Sequence, residues 1–200
     1  KERGFHKVYG MLHGIEGLLD EMYVDLSTQI HSDMDIELLK RTPSAFLGSC
    51  RYKLPDIHEN QEIYVKIFEI LNKLNIECFI YIGGNDSMDT VDKLSRCARI
   101  RRESISFIGV PKTIDNDLPV TDHTPGYGSA AKYVASTVRE ISLDASVYQQ
   151  PAVTIVELMG RHAGWVTAAA ALARKFPGDN PLLIYMPEVP FSMEQFFKDV

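Results

Sequence analysis

The chain has 200 residues, of which 45% are hydrophobic and 24% are charged; these fractions are typical of a globular protein and exclude a disordered or fibrous one. Its formal net charge of -6 argues against a nucleic-acid binder that relies on bulk positive charge. No apolar run reaches the roughly 18 residues of a membrane span, which predicts no membrane partner. The chain has three cysteines but no Cys-x-x-Cys pair and no secretory segment, which predicts reduced thiols in the cytoplasm.

In chain order, β-like apolar runs alternate with segments of helical periodicity. Residues 5–30 are mixed: residues 8–10 could close a strand, and residues 14–19 resemble a short turn that leads into a helix. Apolar residues at helical spacing predict a helix over 59–74 with one face packed inward. The later elements are strand 78–82, helix 88–98, strand 105–110, a long polar loop 111–125, helix 129–147, strand 153–158, helix 163–175, strand 182–186 and a helix from about residue 192.

This order predicts an α/β fold, a parallel sheet with helices on both faces, and no linker between domains. The strands of a parallel sheet end at one edge, where the loops that follow them meet around a ligand-binding crevice. Three polar loops follow strands here: GGNDS at 83–87, PKTIDND at 111–117 and MGRHAGW at 159–165. We therefore expect their glycines, carboxylates and basic side chains to converge on a phosphorylated ligand and a divalent metal.

Each loop offers chemistry that also has a plainer interpretation. The Gly-Gly pair at 83–84 allows backbone N–H groups to approach a phosphate, although it can also be only a turn. Asp115 and Asp117 point the same way if their segment is extended, so one could take a hydroxyl proton while the other helps hold a metal; an Asx turn is the alternative. Arg161 can grip phosphate oxygens with two N–H groups, whereas His162 can equally be structural.

Two nucleotide-binding motifs are excluded. The pattern G-x-x-x-x-G-K-[ST] does not occur, so the chain is not a P-loop enzyme. Residues 126–131, GYGSAA, fit the dinucleotide pattern G-x-G-x-x-A, but a polar loop broken by prolines precedes them where a strand is required. An oxidoreductase built on that motif is therefore excluded.

Five motifs resemble the phosphofructokinase family, in the family's order and at similar spacing over essentially the whole chain. They are FLGSCR at 46–51, GGNDS at 83–87, PKTIDND at 111–117, MGRHAGW at 159–165 and PEV at 187–189. The resemblance implies that residues 1–200 are the donor-binding α/β portion of a phosphofructokinase, without the family's opening glycine-rich strand and C-terminal part. We expect such a fragment to have little or no turnover by itself, and the parent protein to be a homo-oligomer.

The resemblance also implies roles for individual residues. Asp115 would be the catalytic base on the 1-hydroxyl of fructose 6-phosphate. The sugar would be bound by residues of two motifs, namely Thr113, Ile114, Asp115, Met159, Gly160 and Arg161. The phosphoryl donor would be cradled by Arg51, Gly84, Asn85, Asp86, Ser87 and Lys112, of which Arg51, Asp86 and Lys112 would also serve catalysis. Magnesium would lie near Asp117 and Asn85, although Asn85 stands where the family usually has an Asp, and Ala152 stands where many relatives have an Arg that reaches a neighbouring subunit.

Two positions predict the donor. Members that use ATP resemble GGDGS and PGTIDND, with glycines where this chain has Asp86 and Lys112. The pair resembles the pyrophosphate-dependent branch, because a carboxylate at position 86 would repel the α-phosphate of a nucleotide while Lys112 offers a positive charge to pyrophosphate. Two alternatives remain: an ATP-dependent relative that tolerates Asp86, and a non-catalytic subunit that binds a phosphosugar without turnover.

Overall fold

The computed structural model describes residues 4–180 and 182–200. Its elements are β1 (Tyr9–Met11), α1 (Gly14–Leu19), β2 (Tyr23–Asp25), α2 (Asp33–Arg41), α3 (Gln61–Lys73), β3 (Cys78–Gly83), α4 (Asn85–Arg101), β4 (Ser106–Pro111), α5 (Tyr127–Ala145), α6 (Trp165–Ala168) and α7 (Met193–Asp199), with 3₁₀ turns at Leu26–Thr28 and Ala169–Ala173. The chain folds as two compact units that divide between Val110 and Pro111. The sequence showed no linker because this boundary falls at the end of a strand.

The core of the first unit is built on α3, the helix with the clearest apolar spacing. The helix begins where the Asn60 side chain accepts a hydrogen bond from the Ile63 N–H group at 3.3 Å. Its buried face packs with α1, α4 and the strands in one apolar cluster, whose fully buried members include Ile15, Leu18, Leu54, Tyr64, Ile67, Phe68, Leu71 and Leu94. The predicted helix over 59–74 is therefore confirmed, and it supplies much of the core on which the strands rest.

Strands β3 and β4 are parallel hydrogen-bonded neighbours, joined by α4 in a β-α-β order. Phe79 of β3 and Phe107 of β4 pack together on the core side, with ring centroids 5.4 Å apart. The alternate side chains of both strands are exposed on the other face; they are Ile80, Ile82, Ile108 and Val110. The alternation confirms both predicted strands, of which β3 leads into the GGNDS motif and β4 into the PKTIDND motif.

Helix α4 begins three residues earlier than predicted, so most of GGNDS is helix rather than loop. Gly84 is the N-cap, and its carbonyl oxygen accepts hydrogen bonds from the N–H groups of Ser87 and Met88 at 3.1 Å each. The polar residues that suggested a loop are also those that favour the first turn of a helix. The motif therefore presents a helix N-terminus.

The second unit packs α5 against α6 and the 3₁₀ turn that follows it. Its cluster of buried side chains consists of Val134, Val138, Val166, Ala170 and Ala173. The predicted helix over 163–175 is wrong in detail, because α6 begins only at Trp165 and gives way to a 3₁₀ turn at Ala169. The beginning is delayed because Gly164 serves as the N-cap.

The predicted strands over 153–158 and 182–186 are wrong. Neither segment forms a strand within the described residues. Their apolar side chains, which suggested burial, are exposed in large part: Ile155 is 79% exposed, Val153 61% and Leu183 45%. An apolar run acquires strand structure only where a neighbouring backbone offers a ladder of hydrogen bonds, and the local pattern does not report that neighbour.

Two elements before α3 were not predicted, namely β2 and α2. Strand β2 pairs with β1 in an antiparallel ladder that sets Tyr9 opposite Asp25. Helix α2 begins with a capping box in which Ser32 accepts from the Asp35 N–H group while the Asp35 carboxylate accepts from the Ser32 N–H group. Hydrogen bonds from the backbone of His31, and then from Ser32, lower the pKa of Asp35.

No helix among the described residues is long and apolar enough to cross a membrane.

The core tyrosine of α3 gives a test by pH. Tyr64 is 1% exposed, its hydroxyl donates to the Pro55 carbonyl oxygen at 2.7 Å, and burial raises its pKa to about 12. The protonated form is favoured by folding, so its contribution to stability is complete below the ordinary pKa of about 10 and is lost as pH rises from 10 to 12. We expect Tyr64→Phe to cost about 0.5–1.5 kcal/mol at neutral pH and to flatten the alkaline decline. Urea unfolding between pH 7 and 12 checks this against Tyr133→Phe, a change at a tyrosine that is 71% exposed.

Candidate active site

In the first unit, the predicted donor-binding residues lie at the N-terminus of α4, a helix of 17 residues. Aligned peptide dipoles place a partial positive charge there, which favours anions. Asn85 and Asp86 occupy the first turn and are exposed, and Gly84 before them has no side chain that caps the helix. The predicted donor-binding residues therefore lie at a position whose field suits a phosphate, but with the Asp86 carboxylate already in it.

Gly83 is required by a close approach to Ser87. A Cβ atom at position 83 would lie 2.1 Å from Ser87 Oγ and 2.7 Å from Ser87 Cβ. The Ser87 side chain is thus half-buried against the end of β3, where it also contacts the Tyr81 hydroxyl. The prediction that Ser87 contacts a donor is not tested by this arrangement, which shows that its side chain helps join the helix to the strand.

The segment that carries Arg51 is held against the same strand. Gly48 has a φ of 78°, and a Cβ there would lie 2.6 Å from His13 Nδ1. Cys50, two residues after Gly48, contacts the Tyr81 side chain. Both side chains lie close to Gly14, where a Cβ would be 3.2 Å from Cys50 Sγ and 3.4 Å from Tyr81 Oη. Arg51 itself is exposed.

Tyr81 links these two parts of the first unit, and sequence reasoning did not single it out. Its hydroxyl interacts with Cys50 beside Arg51, with the backbone of Ile15, and with Ser87 in the first turn of α4. Burial, reinforced by Cys50, raises the pKa of Tyr81 to about 12, so the hydroxyl keeps its proton at physiological pH and can donate it in a hydrogen bond. The structure therefore brings Arg51 and the residues 84–87 onto one strand end.

In the second unit, PKTIDND is held by neutral side chains in the loop that contains it. Asn116, which is 7% exposed, accepts a hydrogen bond from the Thr124 N–H group at 2.9 Å and donates to the Asp122 carbonyl oxygen at 3.2 Å. The Thr124 hydroxyl donates to the Thr113 carbonyl oxygen at 2.8 Å, and the Thr113 N–H group donates to the Pro125 carbonyl oxygen at 3.2 Å. The two ends of the long loop are therefore joined by hydrogen bonds between Thr113 and residues 124–125.

The segment is not extended, so the expectation that Asp115 and Asp117 point the same way does not apply. The Thr113 hydroxyl accepts from the Asp115 N–H group at 3.1 Å, and Asn116 has a φ of 55°, which bends the chain between the two carboxylates. Thr113 is buried, Asp115 is half-buried and Asp117 is exposed. Ile114 packs against the apolar cluster of the second unit, which turns its side chain inward.

The MGRHAGW motif forms a tight turn that only glycine permits. Gly160 has a φ of 129°, and a Cβ there would lie 2.2 Å from the Ala163 carbonyl oxygen. The Gly164 N–H group donates to Glu188 Oε1 at 2.6 Å, so a carboxylate of the PEV motif supports the start of α6. Met159, Arg161 and His162 are exposed on this turn.

The charged side chains proposed for chemistry are not used to hold the fold. Seven ion pairs occur among the described residues, and none involves Arg51, Asp86, Lys112, Asp115 or Arg161. A half-buried or clustered charge without a protein counter-charge is available to a ligand of opposite sign.

Metal ligation at this site would need partners beyond the protein. Among the described residues, no group of three or more His, Cys, Asp or Glu could hold a metal ion. Magnesium, however, binds through one or two carboxylates together with waters and substrate phosphates. Asp117, an exposed carboxylate of the long loop, can supply such a ligand.

The chain is similar to known proteins over its whole length. The family model described as phosphofructokinase matches residues 1–200. A pyrophosphate--fructose 6-phosphate 1-phosphotransferase of Rhodospirillum rubrum is 46% identical over 200 residues, which are all of this chain and 47% of that protein. The chain thus spans about half the length of the curated relatives it matches.

Two crystal structures of pyrophosphate-dependent phosphofructokinases share the fold. The structure from Marinobacter aquaeolei is 43% identical with a TM-score of 0.86, covering 99% of this chain and 48% of that one. The structure from Nitrosospira multiformis is 40% identical with a TM-score of 0.89, covering 100% of this chain and 49% of that one. These similarities confirm the predicted α/β fold class.

The buried polar network of the long loop gives a test of its architecture. Asn116→Ala removes two hydrogen bonds and leaves the Thr124 N–H group buried without its acceptor. We expect a loss of about 1–3 kcal/mol in the free energy of unfolding and faster proteolysis within residues 111–126. Asp122→Ala is the matched control, because only the backbone carbonyl of that residue takes part. Equal stability of the two variants would contradict the assigned role of Asn116.

Proposed function

Since the chain belongs to the phosphofructokinase family, we propose that the full-length protein transfers a phosphoryl group from pyrophosphate to the 1-hydroxyl of fructose 6-phosphate. The hydroxyl oxygen forms a bond to one phosphorus atom of pyrophosphate while the bridging P–O bond breaks. Fructose 1,6-bisphosphate and inorganic phosphate are the products, and the hydroxyl proton passes to the protein. This reaction is a step of glycolysis.

The observation that carries the proposal is the pair Asp86 and Lys112 in a chain 46% identical to a relative named for pyrophosphate. The placement of Asp86 adds a physical reason for the donor. It lies in the first turn of α4, where its carboxylate opposes the approach of a further phosphate. A nucleotide carries an α-phosphate and a nucleoside that pyrophosphate lacks, so it meets this repulsion where the smaller donor does not.

The proposed roles are those that the motifs of the phosphofructokinase family imply. Asp115 accepts the hydroxyl proton, and Arg51 and Lys112 neutralise charge on the donor. Residues 84–87 cradle the donor, with the Ser87 side chain supporting the helix start against Gly83. The sugar is bound by Thr113, Ile114 and the turn that presents Met159, Gly160 and Arg161; for Ile114 this contact is through the backbone, because its side chain packs inward.

A divalent metal fits this chemistry, and we propose Mg²⁺. Asp117 would hold it through its carboxylate oxygens, together with phosphate oxygens and waters. When bound, Mg²⁺ neutralises negative charge on the donor phosphates. The proposal extends to fructose 6-phosphate and pyrophosphate as the substrates, a homo-oligomeric protein, and a cytoplasmic location, which suits substrates that are multiply charged.

The role of Asp115 is tested by a substitution that keeps its size. Asp115→Asn removes the proton acceptor, so we expect kcat to fall by about 10²- to 10⁴-fold in the full-length protein, with a modest change in KM for fructose 6-phosphate. Asp122→Asn makes the same change at an exposed carboxylate of the same loop and is expected to leave kcat unaltered. An Asp115→Asn enzyme that keeps more than about half of the wild-type kcat would rule out general base catalysis by this residue.

Donor choice is tested by comparing pyrophosphate with ATP in the presence of fructose 6-phosphate and Mg²⁺. We expect kcat/KM to favour pyrophosphate strongly. Asp86→Gly should raise the use of ATP by removing repulsion, and Lys112→Gly should lower the use of pyrophosphate by removing attraction. Each contact is worth about 1.5–3 kcal/mol, or roughly 10- to 150-fold.

The control for donor choice is Asp92→Gly, which removes a carboxylate from the same helix farther from its N-terminus. It should leave the ratio of the two kcat/KM values as in wild type. The proposal fails if the wild-type protein prefers ATP, or if Asp86→Gly gains no ATP activity over the Asp92→Gly control.

A further inference from the structure

One segment singled out by the sequence has no role in the proposed reaction. The GYGSAA motif at 126–131 is not a dinucleotide site. It contains the N-cap and the first residues of α5, which is the longest helix among the described residues. Its Tyr127 lies between the loop that carries Asp115 and the turn that carries Arg161. Every contact of Tyr127 described below is with residues of the second unit.

The backbone around Tyr127 belongs to the Asp115 loop. Thr113 and Gly126 form an isolated parallel bridge, and the Tyr127 N–H group donates to the Thr124 carbonyl oxygen at 3.1 Å. Gly126 has a φ of 112°, and a Cβ there would lie 3.3 Å from the Thr113 carbonyl oxygen. The position of Tyr127 is therefore fixed relative to Thr113, two residues before Asp115.

The side chain of Tyr127 reaches the other loop. Its hydroxyl donates to the Trp165 carbonyl oxygen at 3.2 Å, and its ring meets the Trp165 ring edge to face, with centroids 6.3 Å apart and planes at 72°. Trp165 is the first residue of α6 and follows Arg161 by four positions in the tight turn that begins at Gly160. A contact at Trp165 thus holds the end of the turn that presents Arg161.

A shared apolar base supports this connection. The Tyr127 ring packs on the same cluster as Ile114 of the Asp115 loop and Leu158, the residue before the Met159 turn. That cluster includes Val166, which follows Trp165. The two loops therefore pack on the same apolar cluster. The hydrogen bond from the Tyr127 hydroxyl to Trp165 connects them further.

We propose that Tyr127 is a positioning residue that sets the distance between Asp115 and Arg161, and so aligns the hydroxyl of the sugar with its phosphate. The inference rests on the proposed function, because it assumes that both residues bind the same sugar phosphate. Small displacements of either group lower the rate of a reaction that depends on alignment. Loss of the hydroxyl therefore weakens sugar binding and turnover together, while the donor residues of the first unit keep their own supports.

The test compares Tyr127→Phe with Tyr133→Phe in the full-length protein. Both changes delete one tyrosine hydroxyl from α5, but Tyr133 is 71% exposed. In Tyr127→Phe we expect KM for fructose 6-phosphate to rise and kcat to fall, together by about 2- to 12-fold in kcat/KM, the effect of one hydrogen bond. KM for pyrophosphate should stay within about twofold of wild type, and Tyr133→Phe should match wild type in every constant.

Hydrogen exchange provides a readout that does not depend on the reaction. Amides of residues 163–168, which include the Gly164 N–H group bonded to Glu188, should exchange faster in Tyr127→Phe, while those in the middle of α5 should not change. The proposal is overturned if Tyr127→Phe equals Tyr133→Phe in kinetics and exchange, or if both KM values and exchange throughout the second unit rise together.

The same design separates this inference from the proposed function. A wild-type protein that does not convert fructose 6-phosphate with pyrophosphate would defeat the proposed function. In that case faster exchange confined to residues 163–168 would still support the connection through Tyr127, and unchanged exchange would overturn it.

Discussion

The loops of this protein bury backbone N–H and C=O groups that no helix or strand pairs, and the rest of the candidate site depends on how those groups are satisfied. Neutral side chains do so. Asn116 and Thr124 fasten the long loop of the second unit, and the Tyr81 hydroxyl joins two segments of the first. Because uncharged groups hold the backbone, Lys112 and Arg161 form no ion pair with any described residue and can meet an anionic ligand.

Local patterns predicted the elements whose causes are local. The apolar spacing of 59–74 corresponds to α3, and the alternation at 78–82 and 105–110 corresponds to β3 and β4. The segments 153–158 and 182–186 have similar apolar content, yet neither becomes a strand in the described residues, because a ladder requires a partner that the segment itself does not encode. The fold class was nevertheless predictable, since it follows from the order of elements and the motifs between them.

The candidate site divides in the same way. Its charged residues were named from three motifs in the sequence, of which only GGNDS sets charge next to glycine directly after a strand of the structure. The side chains that position them could not be named in this way: Asn116 bonds to a residue eight positions later, and Tyr127 to one 38 positions later. Partners at such separations are brought together only by the folded chain. Ser87, which was predicted to contact the donor, also has a structural use that the sequence did not indicate, since its side chain packs closely against Gly83.

The start of α4 shows how one carboxylate can alter which anion a protein accepts. A helix N-terminus attracts a phosphate through a partial charge worth about 0.3–1 kcal/mol at an exposed site. Asp86 already occupies that field with a full negative charge, in a first turn that is exposed to solvent. Repulsion between full charges at short range exceeds the attraction of the helix, so the carboxylate determines the outcome for any phosphate placed beside it. An anion bound at this helix start therefore needs a compensating positive charge, which a basic side chain or a divalent cation can supply.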